Sequence, residues 1–182
     1  MIKTIRITGI GGQGAIKSGI ILAKSIFELG LNVVQTQTYG AEVRKGIVSA
    51  DIIFSENKNE QIYELNINKF DYYIIMARDA LNKYKNQINE KCTIIMGESF
   101  FDEKLMQQFN ENKIYLIPEK KILKSIKYPT SLNMSYLGAL SRIVNSINED
   151  AIIKIIKSES KSKYLEDNLL AFKLGIREVF KI

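Results

Sequence analysis

A glycine cluster near the N-terminus constrains the fold of this chain more than any other feature of its sequence. Residues 9–14 read Gly-Ile-Gly-Gly-Gln-Gly, and they follow a stretch of alternating β-branched and polar residues over 2–8 that is typical of a strand. The apolar residues that come next recur at helical spacing, namely Ile16, Ile20, Ala23 and Phe27. The sequence therefore predicts a glycine-rich turn that leads from a strand directly into a helix.

The rest of the chain alternates between strand-like and helix-like segments up to Pro118. Strands are predicted over 31–36, 47–55, 72–76, 93–96 and 114–117, and helices over about 79–88 and 102–109. Beyond Pro118 the pattern changes to helical stripes over about 133–147, 151–156 and 165–180. This order predicts an α/β fold, a three-layer α/β/α sandwich with a Rossmann-like, mostly parallel or mixed sheet and a helical C-terminal third.

The connection between the first two predicted strands sets the expected topology. A strand, a helix and a second strand in succession form a unit in which the second strand should run parallel to the first through a right-handed crossover. The 182 residues contain no repeat and no low-complexity linker. Residues 1–182 are therefore interpreted as a single domain.

Missing residue types exclude several kinds of catalytic or metal site. The chain has no histidine, which excludes histidine-dependent catalytic triads and most zinc sites. Cys92 is the one cysteine, so an internal disulfide is impossible and this chain alone cannot hold an iron–sulfur cluster. Cys92 opens an apolar strand and is interpreted as a small buried hydrophobic residue. The sequence thus predicts neither a catalytic residue nor a metal ligand.

Charge and hydropathy indicate the expected partners and location. The net charge of +6 would suit an acidic partner or nucleic acid, but the lysines are dispersed and not interleaved with aromatic residues. No apolar run reaches the roughly 18–20 residues that span a membrane, and the N-terminus shows no secretory signal pattern. We therefore expect a cytoplasmic protein that binds neither membrane nor nucleic acid.

The glycine cluster has the form of an anion-binding turn. Gly9, Gly11 and Gly14 match the spacing of the dinucleotide fingerprint, in which the first N–H groups of the helix face a phosphate. The second strand ends at Gln35-Thr36 without the acidic residue that binds a ribose, and Lys17-Ser18 lie too far along for a Walker loop. Gly9, Gly11, Gly12, Gln13 and Gly14 are interpreted as a site for an anionic ligand or a partner backbone; tight strand–helix packing is the alternative.

A second loop follows the second predicted strand and is expected beside the glycine turn, since loops after strand ends gather at one sheet edge. Within this loop, Arg44 can hold a phosphate or a carboxylate with two hydrogen bonds, whereas a local Glu42–Arg44 surface pair is the alternative. We interpret the loop as part of the site through its residues Tyr39, Gly40, Glu42, Arg44, Lys45 and Gly46.

The combination of these motifs resembles one protein family. The segments Gly-Ile-Gly-Gly-Gln-Gly over 9–14 and Thr-Tyr-Gly-Ala-Glu-Val-Arg over 38–44, with Ser49-Ala50 and Ser55, resemble the gamma subunit or domain of 2-oxoacid:ferredoxin oxidoreductases. The pattern continues in order along nearly the whole chain, with Ile21-Leu22-Ala23, Asn133-Met134, Leu137-Gly138-Ala139, Asn168, Ala171-Phe172 and Gly175.

This resemblance implies a reaction shared with other subunits. Enzymes of the family, which act on pyruvate, 2-oxoglutarate or 2-ketoisovalerate in anaerobes, convert a 2-oxoacid, coenzyme A and oxidised ferredoxin into acyl-CoA, CO2 and reduced ferredoxin. Thiamine diphosphate, Mg2+ and the 4Fe-4S clusters are expected in the alpha, beta and ferredoxin-like delta subunits, with ferredoxin as acceptor and none of these cofactors bound by this chain alone. The gamma chain would contribute to assembly and to the active-site region, with Asn133 and Met134 as interface candidates.

One residue departs from the family pattern, because the loop reads Arg44-Lys45-Gly46 where the family usually has Arg-Gly-Gly. A lysine adopts a positive φ less readily than glycine, by roughly 1 kcal/mol, so the loop backbone here differs or the chain is divergent. Two alternatives to the family interpretation remain open at this point. One is a stand-alone nucleotide-binding α/β protein that uses the glycine turn directly, and the other is a basic nucleic-acid-binding module.

Overall fold

The central element of the structure is one mixed β-sheet whose strands interleave in an order different from that of the chain. The structure, a computed structural model, describes residues 1–40, 46–63, 67 and 69–182, with 105 and 106 described by their backbone alone. Within these residues the sheet order is β2-β3-β1-β4-β5-β6-β7. The strands are β1 (Ile2–Ile10), β2 (Val33–Tyr39), β3 (Ile47–Ser55), β4 (Tyr72–Ile75), β5 (Thr93–Gly97), β6 (Lys113–Ile117) and β7 (Phe180–Lys181).

Helices cover both faces of the sheet unequally. The first face packs on a large core that includes Ile5, Ile7 and Ile74, and the helices against it are α1 (Ala15–Glu28), α5 (Asn133–Ile143), α6 (Glu149–Glu159) and α7 (Ser162–Glu178). The second face packs on a smaller core around Tyr73, Ile75 and Met96 under α2 (Arg78–Tyr84), with the short α3 (Glu103–Met106) nearby in the chain. The predicted α/β layers and helical C-terminal third are confirmed, and a further short helix, α4 (Glu119–Leu123), follows β6 directly.

Strand β3 lies inside the predicted strand–helix–strand unit formed by β1, α1 and β2. Strand β2 runs in the same direction as β1, but β3 lies between them and pairs antiparallel with both. The predicted parallel direction of β2 relative to β1 is therefore correct, but the sequence did not predict that another strand lies between them. Strand β3 provides backbone hydrogen-bond partners for β1 along one edge and for β2 along the other. In addition, the guanidinium group of Arg6 in β1 pairs at 2.7 Å with the carboxylate of Asp51, which lies directly opposite it in β3.

The C-terminal region is helical as predicted, apart from its last residues. The predicted short helix over 151–156 is longer, Glu149–Glu159, because Asn148 caps it by accepting a hydrogen bond from the Ala151 N–H at 2.8 Å. The terminal helix ends at Glu178, and Phe180–Lys181 form β7 beside β6, where the sequence predicted helix to Phe180 and no further strand.

Helices α5 and α7 approach each other through glycines at matching positions. A β-carbon on Gly138 would lie 3.0 Å from the carbonyl carbon of Phe172, and one on Gly175 would lie 2.6 Å from the carbonyl carbon of Ser135. Either β-carbon would come even closer to the carbonyl oxygen of the same facing residue, at a distance that real β-carbons do not reach, so the two helices can touch only where these residues have no side chain. The Gly138 and Gly175 positions of the family pattern therefore belong to the core.

Cys92 lies in the smaller core, as predicted. Its side chain is buried, and burial raises the pKa of the thiol to about 12, although an Asn112 amide donates a hydrogen bond to the sulfur at 3.0 Å. Such a thiol stays protonated at neutral pH and behaves as a hydrophobic residue.

Among the described helices, none is long and apolar enough to span a bilayer.

Candidate functional site

The predicted glycine turn joins β1 to α1 at the carboxyl edge of the sheet. Gly11, Gly12 and Gln13 are exposed, and a β-carbon on Gly12, where φ is +99°, would meet nothing within 4 Å. The turn therefore presents open backbone to solvent. The first N–H groups of α1 follow it immediately, and a helix N-terminus favours negative charge.

The Gln13 side chain holds the turn in shape from within. Its Oε1 accepts a hydrogen bond from the Ile10 N–H at 2.7 Å, and its Nε2 donates to the Met76 carbonyl at 3.1 Å. The carbonyl of Ile10 also accepts from the Gln13 N–H at 3.0 Å. Gly9 is buried beneath this arrangement, where a β-carbon would lie 2.8 Å from Gln13 Oε1. These two residues thus shape the turn, and Gly11 and Gly12 remain exposed to solvent, where a ligand or a partner can approach.

Gly14 connects the turn to the C-terminal helices. It caps α1 in the left-handed conformation, with φ at +87°, and a β-carbon there would lie 2.9 Å from the Cγ of Asn133. The Asn133 amide donates to the Gly14 carbonyl at 3.3 Å. Asn133 therefore supports the turn from the start of α5, whereas Met134 is fully buried in the larger core. Of these two interface candidates, Asn133 lines the pocket described below, whereas Met134 does not.

The second loop meets the glycine turn where the structure describes it. The Gly11 N–H donates to the Gly46 carbonyl at 2.9 Å, and the Gly40 N–H donates to the Ile47 carbonyl at 3.0 Å. The exposed Tyr39 hydroxyl donates to Gln37 Oε1 at 2.6 Å. The two segments are neighbours because β3 pairs with both β1 and β2, so this loop is the connection of an antiparallel hairpin. Glu42, Arg44 and Lys45 lie outside the described residues.

A pocket of about 280 Å³ opens beside the glycine turn. Its walls come from Gly12 and Gln13 after β1, from Met76 after β4, and from the segments that follow β6, including Glu119, Leu123, Leu132, Asn133 and Tyr136. The chain leaves β1 toward β2 and β3 on one side, whereas β4, β5 and β6 extend on the other side. The pocket thus lies at the carboxyl edge, beside the position where strand order reverses, which is where ligands bind in open α/β sheets.

One wall of this pocket carries a buried carboxylate that the sequence reasoning missed. Glu119 is 8% exposed; its Oε1 accepts a hydrogen bond from the Tyr136 hydroxyl at 2.7 Å, and its Oε2 accepts one from Ser99. Burial and the neighbouring carboxylate raise the pKa of Tyr136 well above its ordinary value, so this hydroxyl remains a donor. The sequence could have indicated Glu119, because it comes just after the predicted strand over 114–117, and residues that follow strand ends line ligand sites in α/β sheets.

The described residues offer no ligand set for a metal or a cluster. No three of their cysteine, aspartate and glutamate side chains are grouped so that they could hold a metal ion. Cys92 is buried and protonated at neutral pH, so it does not fit as a cluster ligand. The geometry instead presents open backbone, hydrogen-bonding groups and a pocket with one carboxylate at a single edge.

Comparison with known proteins identifies a family. The family model described as pyruvate ferredoxin/flavodoxin oxidoreductase matches residues 4–178. The 2-oxoglutarate synthase subunit KorC of Methanocaldococcus jannaschii is 33% identical over 178 residues, which cover 96% of this chain and 92% of that protein.

Solved structures agree with this similarity. The pyruvate oxidoreductase subunit PORC of Thermotoga maritima has the same fold, with a TM-score of 0.82 at 22% identity over 99% of this chain and 98% of that one. A 2-oxoglutarate:ferredoxin oxidoreductase of Magnetococcus marinus, solved with 2-oxoglutarate, coenzyme A and succinyl-CoA bound, gives a TM-score of 0.83 at 25% identity; the match covers 97% of this chain and 30% of that longer one. The chain belongs to the pyruvate ferredoxin/flavodoxin oxidoreductase family and is a gamma subunit of the 2-oxoacid:ferredoxin oxidoreductase type.

Proposed function

We propose that this chain acts in a complex that oxidises 2-oxoglutarate, with coenzyme A as acyl acceptor and ferredoxin as electron acceptor. The relatives support this substrate, because KorC of Methanocaldococcus jannaschii is named for 2-oxoglutarate and the Magnetococcus marinus structure contains 2-oxoglutarate, coenzyme A and succinyl-CoA. Pyruvate is the competing substrate, since the PORC structure has a similar fold. Activity of the complete complex with each 2-oxoacid distinguishes the two.

Within that complex, the role we assign to this subunit is to complete the active-site region without carrying the redox centres. Thiamine diphosphate would supply the decarboxylation chemistry and iron–sulfur clusters the electron transfer; we place both, with Mg2+, in the alpha, beta and delta subunits. The residues of this chain support that division, because its one cysteine is buried and protonated. No electron-transfer step is assigned to this chain.

The observation that carries this proposal is the open backbone of the glycine turn. Gly11 and Gly12 are exposed at the carboxyl edge, and Gly11 is hydrogen-bonded to Gly46 of the second loop. A partner backbone or a phosphate of coenzyme A can approach such a surface without meeting a β-carbon. We propose that the glycine turn and the second loop, including Glu42, Arg44 and Lys45, form one surface toward the alpha and beta subunits and their substrates.

Reconstitution tests this function directly. The complex is assembled with and without this chain, and ferredoxin reduction is followed in the presence of 2-oxoglutarate and coenzyme A. We expect activity only when the chain is included, and no ferredoxin reduction by the chain alone. Full activity without the chain would contradict the proposal. Micromolar binding of NAD, FAD or ATP by the isolated chain would instead favour a stand-alone nucleotide-binding protein.

A further inference from the structure

The pocket beside the glycine turn contains a negative charge without a cationic partner among the described residues. Glu119 is the first residue of α4 and is 8% exposed. Its hydrogen-bond donors, Tyr136 and Ser99, are both neutral hydroxyl groups. None of the ion pairs among the described residues includes Glu119. A buried carboxylate of this kind is costly unless a cation joins it.

The surroundings of the carboxylate match a long basic side chain. A carboxylate offers about four acceptor positions, and the two hydroxyl groups use only two of them. The nearby walls are apolar and come from Met76, Leu123 and Leu132. At about 280 Å³ the pocket has room for one long inserted side chain.

The sheet provides the room that Glu119 needs. A β-carbon on Gly97, at the end of β5, would lie 2.7 Å from Glu119 Oε1. Gly97 itself has an extended conformation, with φ at −73°, which any residue adopts. Glycine at this position therefore serves to accommodate the carboxylate and not to form a turn. Two elements, the end of β5 and the start of α5, are thus arranged around one charge.

We propose that this pocket receives a lysine or arginine side chain from a partner subunit of the complex. Its aliphatic part would contact Met76, Leu123 and Leu132, and its charged end would pair with Glu119. The exposed Lys120, Lys124 and Lys127 lie on the same segment of the chain, so the partner surface around the inserted cation should be acidic. The inference rests on the proposed function, because it concerns how this subunit meets its partners.

The charge-removing variant Glu119→Gln tests the proposal because it should weaken binding to the partner subunits without lowering the stability of the isolated chain. In the isolated full chain it removes an uncompensated charge while keeping the size of the side chain, so the thermal midpoint should be unchanged or higher. In binding to the immobilised partner subunits, the Kd should rise by about 30-fold or more, since a buried charge pair loses one member. The matched control is Glu111→Gln, at an exposed residue that precedes β6 and hence lies toward the opposite sheet edge. This control should leave the Kd within about twofold, as expected for an isolated surface charge.

A second pair of variants tests occupancy of the pocket without altering Glu119. Leu123 lies one helical turn after Glu119 on α4 and also lines the pocket. In Leu123→Lys, the new ammonium group can pair with Glu119 at i, i+4 and exclude the partner cation. We expect its Kd to rise at least about tenfold, whereas the neutral control Leu123→Gln should change it less than about threefold, because no competing charge is added. Equal effects of the two variants would contradict the proposal.

The outcomes separate this inference from the proposed function. If Glu119→Gln lowers the thermal midpoint of the isolated chain and leaves the Kd unchanged, Glu119 is an internal structural group and the inference is overturned. If the variant lowers the thermal midpoint and also raises the Kd, the comparison of the two Leu123 variants decides. Failure of the wild-type chain to bind the partner subunits would overturn both proposals, whereas equal binding of wild type and Glu119→Gln overturns only this one.

Discussion

Glycines have different structural roles in two regions of this molecule, the turn between β1 and α1 and the contact between α5 and α7. In the turn between β1 and α1, Gly12 faces open space and Gly14 supplies a left-handed backbone conformation. Between α5 and α7, Gly138 and Gly175 lie in helices of ordinary handedness and are needed only because the facing backbone is too close for a β-carbon. The first region exposes its backbone and the second buries it. A glycine in this chain therefore marks an accessible surface in the turn and a close-packed core contact between the helices.

The largest effect is expected at the contact between α5 and α7. Alanine stabilises the interior of an ordinary helix by about 1 kcal/mol relative to glycine. At Gly138 or Gly175 the added methyl group meets backbone atoms that cannot move independently, so alanine should instead lower the free energy of unfolding by about 3 kcal/mol or more. Urea unfolding of Gly138→Ala and Gly175→Ala measures this, and any stabilisation would show that the helices separate easily.

An intermediate effect is expected at Gly14, which combines both uses of glycine. Gly14→Ala must adopt a positive φ and also displace Asn133, so we expect a loss of about 2 kcal/mol in unfolding free energy. The double variant with Asn133→Ala separates the two causes in a double-mutant cycle. If steric conflict contributes, adding Gly14→Ala should cost less in the Asn133→Ala background than in wild type.

A smaller effect is expected at Gly97, where the neighbour is a side chain. Gly97→Ala has no backbone strain, but its methyl group meets the Glu119 carboxylate, and we expect a loss of about 1–2 kcal/mol. Introducing Glu119→Ala together with it removes the conflicting atoms. The cost of Gly97→Ala should therefore fall below about 0.5 kcal/mol in that background, and a cost that stays unchanged would place the conflict elsewhere.

The smallest effect on stability is expected at Gly12. Asparagine tolerates positive φ better than most residues, and nothing lies near the added side chain, so Gly12→Asn should change the unfolding free energy by less than about 1 kcal/mol. If the turn meets a partner or a phosphate, the same variant should reduce ferredoxin reduction by the reconstituted complex at least about tenfold, because the side chain obstructs close approach. Unchanged activity would limit the turn to a structural role.

The sequence predicted the elements of this fold better than their pairing. The glycine turn, the strand over 47–55 and the helical C-terminal third follow from residue periodicity and turn chemistry, which are local. The insertion of β3 between β1 and β2 depends on which distant strand supplies a hydrogen-bonding partner, and periodicity carries no information on that choice. The two-residue strand β7 is too short to produce a pattern.

Only part of the candidate site could be predicted from the sequence, because the remaining residues come together only on folding. Its glycine residues are adjacent in sequence and form a motif, so they could be identified directly. The pocket wall combines Ser99, Glu119 and Tyr136, which come from three separate elements and meet only in the folded chain. Asn133 was identified through the family resemblance, but its hydrogen bond to Gly14 depends on the packing of α5 against the start of α1.

The outer edge of the sheet has a consequence for how the isolated chain behaves in solution. Strand β2 ends the described sheet, and its residues 33–39 include neither a proline nor a charged residue to discourage pairing with another copy. The net charge of +6 makes copies of the chain repel one another. Because added salt screens that repulsion, we expect the purified chain to self-associate as ionic strength rises and to be most soluble in dilute buffer.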